Sequence, residues 1–236
     1  MSDTTTKDIK DYNYCNFKAE YYNFSEFQGP KPGEKALDFD AFGLDGEKVK
    51  LSDYFGTWLV LETGSFSCPM YVGNIQKMNQ VAKEFPDVRF LVLYIREAHP
   101  GSNVPLIKSI EEKLHHANRL PGEENEQRTI IVDTIDGNAH KLYGSYPDAV
   151  YIINPEGTVV FRSDWTIASE VEKVLSQGRD EIHKRDHFEP GAPSIPLAFR
   201  VLKRAGLNSL WDFALGLPKL MTMHKDANKA YGKQVK

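Results

Sequence analysis

The chain has 236 residues, 41% of them hydrophobic and 26% charged, with a net charge of −4. That is room for one generous domain with extensions, and the charge balance gives no basis for nucleic-acid binding. No apolar stretch is long enough to span a bilayer, and the polar start Met1–Asp8 lacks the apolar core of a signal peptide. With only two cysteines, Cys15 and Cys68, a reducing, cytoplasmic location is the expectation.

Residues 1–31 have no clean periodicity and are expected to form an extended N-terminal arm, in which Cys15 sits among Asp11–Phe17. From Pro32 the pattern sharpens. Pro32–Phe39 leads into a short strand, and an Asp45-Gly46 turn signal precedes Val49–Leu51, as in a hairpin. Trp58–Leu61 reads as a strand. After Cys68, apolar residues recur at Tyr71, Val72, Ile75, Met78, Val81, Ala82 and Phe85, which predicts a helix of about four turns. Val88–Ile95 is nearly all apolar and rich in branched and aromatic residues, as a central parallel strand requires. A loop over 96–105, a helix over 106–120 and a charged loop over 121–128 lead to a strand at Thr129–Asp133. His140–Tyr143 reads as a short helix closed by Gly144. Ala149–Ile153 and Thr158–Phe161 flank the turn Asn154-Pro155-Glu156-Gly157, and a last helix runs from Ile167 to Leu175.

Strands alternating with helices, then an antiparallel pair and a helix, describe an α/β domain over 32–180 with a mixed central sheet flanked by helices. Residues 181–236 form a linker with Pro190, Pro193 and Pro196, then apolar-rich helices around 195–205 and 209–223. From 195 onward the chain carries eight Lys or Arg and two acids. Those helices either pack on the domain or a partner subunit, or offer a basic amphipathic surface to a membrane or acidic partner. A homodimer is compatible with the sequence.

Cys68 is the residue with the sharpest position. It lies in Glu62-Thr63-Gly64-Ser65-Phe66-Ser67-Cys68-Pro69, between the strand and the helix. Unpaired N–H groups at a helix start favour a thiolate, and such sites can lower a cysteine pKa from ~8.5 into the ~3.5–7.5 range. Pro69 suits the first helical position. The alternative is a buried core thiol. A strand, a reactive cysteine and a following helix is how the thioredoxin architecture presents its nucleophile. Here Tyr71 occupies the place of the second cysteine of a dithiol motif, so a disulfide cycle within the motif is excluded. Ser65 stands three residues before Cys68, a peroxiredoxin-type spacing, but Leu61 stands where that pattern has a proline. Glu97 and His99 leave the carboxyl end of the Val88–Ile95 strand and would overlie the site, where an imidazole can pass protons and a carboxylate can orient it. Pro147 is a candidate for the cis-proline that faces the cysteine in thioredoxin folds. His183 and His187, spaced i, i+4, read as an exposed helix rather than a metal site, and His115-His116 as a solvated helix face. A Cys15–Cys68 disulfide is left open by sequence.

The stretch 58–165 resembles the iodothyronine deiodinase family, within the thioredoxin-like redoxins. Trp58–Pro69 matches that family's strand and Gly-Ser-Cys-Thr-Sec-Pro signature, with Cys68 where the selenocysteine stands. Phe90–Pro100 matches its Tyr-Ile-Glu-Glu-Ala-His segment, and Ile131–Thr134, Tyr143–Tyr146 and Tyr151–Thr158 continue in register. The resemblance implies a thioredoxin-like fold and Cys68 as nucleophile, served by the polar groups Glu97 and His99. Ser65 and Ser67 beside the thiol, with Pro147, would contact a small-molecule substrate. It further implies reductive dehalogenation with no bound cofactor or metal, and regeneration by an external thiol such as glutathione or thioredoxin. Phe66 replaces the family's auxiliary cysteine. Ile107 and Trp165 stand at the positions of a histidine and an arginine that hold the iodothyronine. The alternatives are a peroxiredoxin-like thiol peroxidase and a non-enzymatic thioredoxin-fold module that docks a partner through its basic tail.

Overall fold

The structure, a computed structural model, describes residues 12–234. Its centre is a seven-stranded mixed sheet. In chain order the strands are β1 (Asp40–Gly43), β2 (Lys48–Lys50), β3 (Trp58–Gly64), β4 (Val88–Tyr94), β5 (Thr129–Asp133), β6 (Val150–Ile153) and β7 (Val159–Ser163). Across the sheet the order is β2-β1-β5-β4-β3-β6-β7. β3, β4 and β5 are parallel, and the pairs at either edge are antiparallel. β3 and β4 are buried along nearly their whole length, which is why both read as continuous apolar runs rather than alternating ones.

The helices are α1 (Pro69–Glu84), α2 (Ile110–Ala117), α3 (Arg119–Glu124), α4 (Asn138–Leu142), α5 (Ala168–Gln177), α6 (Ile195–Ala205) and α7 (Leu207–Gln234). α1 buries Tyr71, Val72, Ile75, Met78 and Val81, the stripe its sequence period predicts. The helix expected over 106–120 is shorter and is followed by a second: Ser109 caps α2 by accepting the Glu112 N–H at 3.3 Å, and α3 continues from Asn118. α7 runs well past the expected end at 223.

The N-terminal arm departs from expectation. Over its described part it is not a free extension: Tyr12, Tyr14, Phe17, Tyr22, Phe24 and Phe27 are all buried. Burying an aromatic side chain of this size contributes on the order of 1.5–3 kcal/mol, so aromatic content, without periodicity, fixes the segment. Part of its anchor is Arg96. Its guanidinium lies 5.0, 4.9 and 5.3 Å from the rings of Tyr12, Tyr14 and Tyr22 and donates to the Tyr12 carbonyl at 2.8 Å. A cation so enclosed gains from each ring quadrupole.

The linker is fastened as well. His187, expected on an exposed helix, lies in an irregular segment. Its Nδ1 is 2.6 Å from Asp164 Oδ2 and its Nε2 is 2.9 Å from Asn228 Oδ1 of α7. The buried Arg162 pairs with Asp186 at 2.7 Å. Tail and domain thus form one packed unit.

Candidate active site

β3 and β4 end side by side, with Gly64 opposite Tyr94, so residues 65–68 and 95–99 emerge together at the carboxyl edge of the sheet. Gly64 has a packing reason: a Cβ there would overlap the Tyr71 ring of α1. The turn closes when the Cys68 N–H donates to the Ser65 carbonyl at 3.1 Å. Cys68 then takes the extended conformation of a helix N-cap, with Pro69 at the first helical position. This is the placement the sequence predicts.

The two loops are joined by side chains. Ser67 donates to Glu97 Oε2 from both its N–H (2.9 Å) and its hydroxyl (2.6 Å). The Ser67 hydroxyl in turn accepts the His99 N–H at 3.0 Å, and the Ser65 hydroxyl accepts the Ala98 N–H at 3.2 Å. The Tyr94 hydroxyl donates to Glu97 Oε1, and His116 Nδ1 lies 3.3 Å from the same oxygen. Glu97 is therefore the hub of a buried joint. Ser65 and Ser67, expected to contact a substrate, are fully buried with their hydroxyls engaged in that joint, and neither is among the residues lining the cavity beside Cys68. His116, expected on a solvated face, is buried against Glu97. Burial raises the Glu97 pKa, but hydrogen bonding and charge from His116, with the bonds from Ser67 and Tyr94, outweigh it and hold the carboxyl below its usual range.

Cys68 opens onto a cavity of about 410 Å³, within the size range of small-molecule sites. One wall holds Cys68, Pro69, Met70, Ala98, His99 and Pro147; Phe17, Tyr22 and Phe24 of the arm and Trp165 form a second. Phe213, Leu217, Leu220 and His224 of α7 roof it. Pro147 does face the cysteine's cavity as expected, but its peptide bond is trans, as are all others described.

The thiol does not titrate as the helix start alone suggests. Cys68 is 1% exposed. Burial pushes its pKa up, the Asp148 carboxyl pushes it further, and the N–H groups of Tyr71 and Met70 pull it only part of the way back. The resting residue is a neutral thiol, because removing it from water costs more than the helix N-terminus returns. His99 is neutral for the same reason: burial lowers it to about 3, against the opposing charge of Glu97. Its Nδ1 has no hydrogen-bond partner among the described residues, and its ring packs on Phe17 and Phe213 with centroids 4.3 and 5.4 Å away. A neutral thiol and a neutral imidazole with a free nitrogen share the wall of one apolar chamber.

Some groups here have no local sequence signal. Arg204 of α6 stacks on the Phe66 ring at 3.5 Å and donates to the Phe66 carbonyl at 2.6 Å, while Glu124 binds both Arg204 and Arg200. The extension thereby grips the turn that carries Cys68. Asp148 and Glu62 form a buried carboxyl pair, with Glu62 also paired to Arg128. Burial and the Glu62 charge push the Asp148 pKa well up. Trp165 stands on the cavity wall, whereas Ile107 is buried elsewhere. Cys15 and Cys68 are both free thiols, and Cys15 is exposed.

A cysteine capping the helix that follows a central parallel strand defines the fold class as thioredoxin-like. A thiol:disulfide interchange protein of DsbE type from Chlorobium tepidum is similar, with a TM-score of 0.50 at 20% identity over 64% of this chain and 96% of that one. A hypothetical protein from Sinorhizobium meliloti has a TM-score of 0.51 at 11% identity over 70% of this chain and 94% of that one. Both likenesses concern the fold. The family model for iodothyronine deiodinase matches residues 5–177. Thyroxine 5-deiodinase of Bos taurus is 25% identical over 182 residues, covering 70% of this chain and 58% of that protein. The Sparus aurata protein of the same name is 30% identical over 111 residues, covering 43% and 41%. The chain belongs to the iodothyronine deiodinase family. It spans 58% of the length of the Bos taurus relative, and the C-terminal extension from 181 onward lies beyond the residues the family model matches.

Proposed function

We propose that the protein is a thiol-dependent reductive dehalogenase acting on a small aromatic substrate, with Cys68 as its single nucleophile. The observation that carries this reading is the shared apolar cavity of Cys68 and His99 in a chain of this family. A substrate ring fills the chamber and brings a carbon–halogen bond to the thiol. As the Cys68 sulfur attacks the halogen, its proton is relayed by His99 toward the ring carbon, so neither a free thiolate nor an imidazolium has to accumulate in the apolar chamber. The carbon–halogen bonding pair passes to the ring carbon, which takes that proton, and Cys68 is left as a sulfenyl halide. An external thiol displaces halide to give a mixed disulfide. A second external thiol then releases Cys68, so one two-electron reduction of the substrate oxidises two thiols to a disulfide. Glu97 acts as a positioning residue, holding the Ser67 and His99 backbone beside the cysteine.

Purified protein with dithiothreitol should release iodide from an iodinated phenol and leave hydrogen peroxide largely unconsumed; peroxide turnover without iodide release overturns the reading. An apolar chamber favours this order, because peroxide needs polar partners and the Ser65 hydroxyl lies in the loop joint. Replacing His99 by Ala is expected to lower turnover about 10²- to 10⁴-fold, the usual range for loss of an acid–base group. Circular dichroism should meanwhile report an intact fold. An unaltered rate in that variant would remove His99 from the proton path.

A further inference from the structure

Exposed apolar side chains are concentrated on the C-terminal extension. Of the ten large hydrophobic residues exposed among the described residues, seven fall between 195 and 221. Trp211 is 70% exposed, Leu215 77% and Ile195 84%. At 3.6 residues per turn, Leu207, Trp211, Leu215, Leu217 and Met221 occupy one arc of about 160° on α7. The opposite arc, with Ser209, Phe213, Leu220, Ala227 and Tyr231, packs inward. A single helix thus has two apolar faces, and the domain covers only one. Contiguous exposure of this kind marks an interaction surface rather than ordinary surface composition.

The charge says what covers it. Residues 195–236 carry +6 while the whole chain carries −4, so the remaining residues carry −10. Lys203, Lys219 and Lys225 are exposed near this face and have no ion pair among the described residues. Two copies meeting face to face would bring two such basic segments together. Among the described residues, a copy docking this face on the acidic body would meet no apolar counterpart, since the exposed large hydrophobics elsewhere are Tyr21, Leu37 and Ile182. An anionic lipid surface satisfies both requirements: the acyl boundary takes Trp211 and the leucines, and the lysines extend to the headgroups. Among the described residues no helix is long and apolar enough to cross a membrane, so the helix would lie on the surface.

We propose that the outer face of α7 docks on anionic membranes, with the side chains of Leu207, Trp211 and Leu215 embedded at the interface. Leu217 belongs to this face and also to the cavity roof, so the docked surface adjoins the cavity. The test is co-sedimentation of the full chain with phosphatidylcholine vesicles, with and without phosphatidylserine, alongside a W211E/L215E double variant. Neither residue lines the cavity. The expected result is binding to the phosphatidylserine vesicles that weakens with salt and falls about tenfold or more in the double variant, whose circular dichroism and Cys68 alkylation rate match wild type. Binding that is equal in the two proteins overturns the proposal. So does failure of wild type to bind either vesicle, and a dimer in solution that the double variant dissociates would then assign the face to a second copy.

Discussion

Replacing Cys68 by Ser should abolish thiol-dependent turnover, with a loss of at least about a thousandfold. Serine is nearly isosteric, so the cavity and the loop joint should survive, and the stability cost of a buried hydroxyl should be about 1–3 kcal/mol. Turnover persisting in the purified variant would mean that another group does the chemistry, Cys15 being the other thiol of the chain. The titration of Cys68 is a separate result. Burial holds the thiol protonated, so its alkylation by iodoacetamide, followed on the Cys68 peptide by mass spectrometry, should rise about tenfold per pH unit from neutrality past ~8.5, the ordinary cysteine pKa. A rate that levels off below neutrality would show a standing thiolate and would remove the need for His99 as proton acceptor. The exposed Cys15 supplies an internal comparison in the same sample.

A protonated resting thiol changes how the site must work. In an open strand-to-helix corner, the helix N-terminus keeps a thiolate ready in water. Here the arm and α7 seal the corner, and the same low dielectric that suppresses the thiolate strengthens any interaction made to it once it forms. Loss of the proton is thereby tied to the filled cavity, where His99 relays the proton while the substrate takes the charge. Adventitious oxidation, which follows thiolate character and exposure, is restrained in the empty protein.

Cys68, Pro69, Glu97 and His99 were legible in the sequence because each rests on a local rule. An apolar run followed by a helical period places the cysteine, and parallel neighbours bring the two loops to one edge. What surrounds them was not legible. The arm looked irregular because its aromatics follow no period; they fit a surface that only the folded domain presents. His116 looked like half of a solvated pair because nothing local announces a partner nineteen residues back. Ser65 and Ser67 were correctly placed beside the cysteine, but hydroxyl groups serve loops as readily as ligands, and here their acceptors and donors are used by Glu97, Ala98 and His99. The roof of the cavity comes from residues 213–228, more than 140 positions from the cysteine, with no motif to tie them together.

Glu97 carries the second large expectation. Glu97→Gln keeps size but removes the charge that the buried joint is built around and brings an amide donor to a site where Ser67, Tyr94 and His116 converge on the carboxylate oxygens. Breaking such a buried charged network costs about 3–5 kcal/mol, which urea unfolding would read as a lower midpoint with an unchanged slope. Iodide release should fall with it even where the protein is still folded, because Ser67 and the His99 N–H lose the group that fixes them. The pH dependence has a definite sign. The folded Glu97 pKa lies below its unfolded value of ~4.3, so its stabilisation is fully present above that pH and is lost as pH falls through the folded value. Wild type should therefore lose stability on acidification below about pH 4.3 by more than Glu97→Gln does, and the two stability curves should converge at the acid end. Curves that stay parallel down the acid limb would show that the Glu97 charge contributes nothing to the fold, and the joint between the two loops would then rest on the β3–β4 pairing and on the Ser65–Ala98 and Ser67–His99 hydrogen bonds.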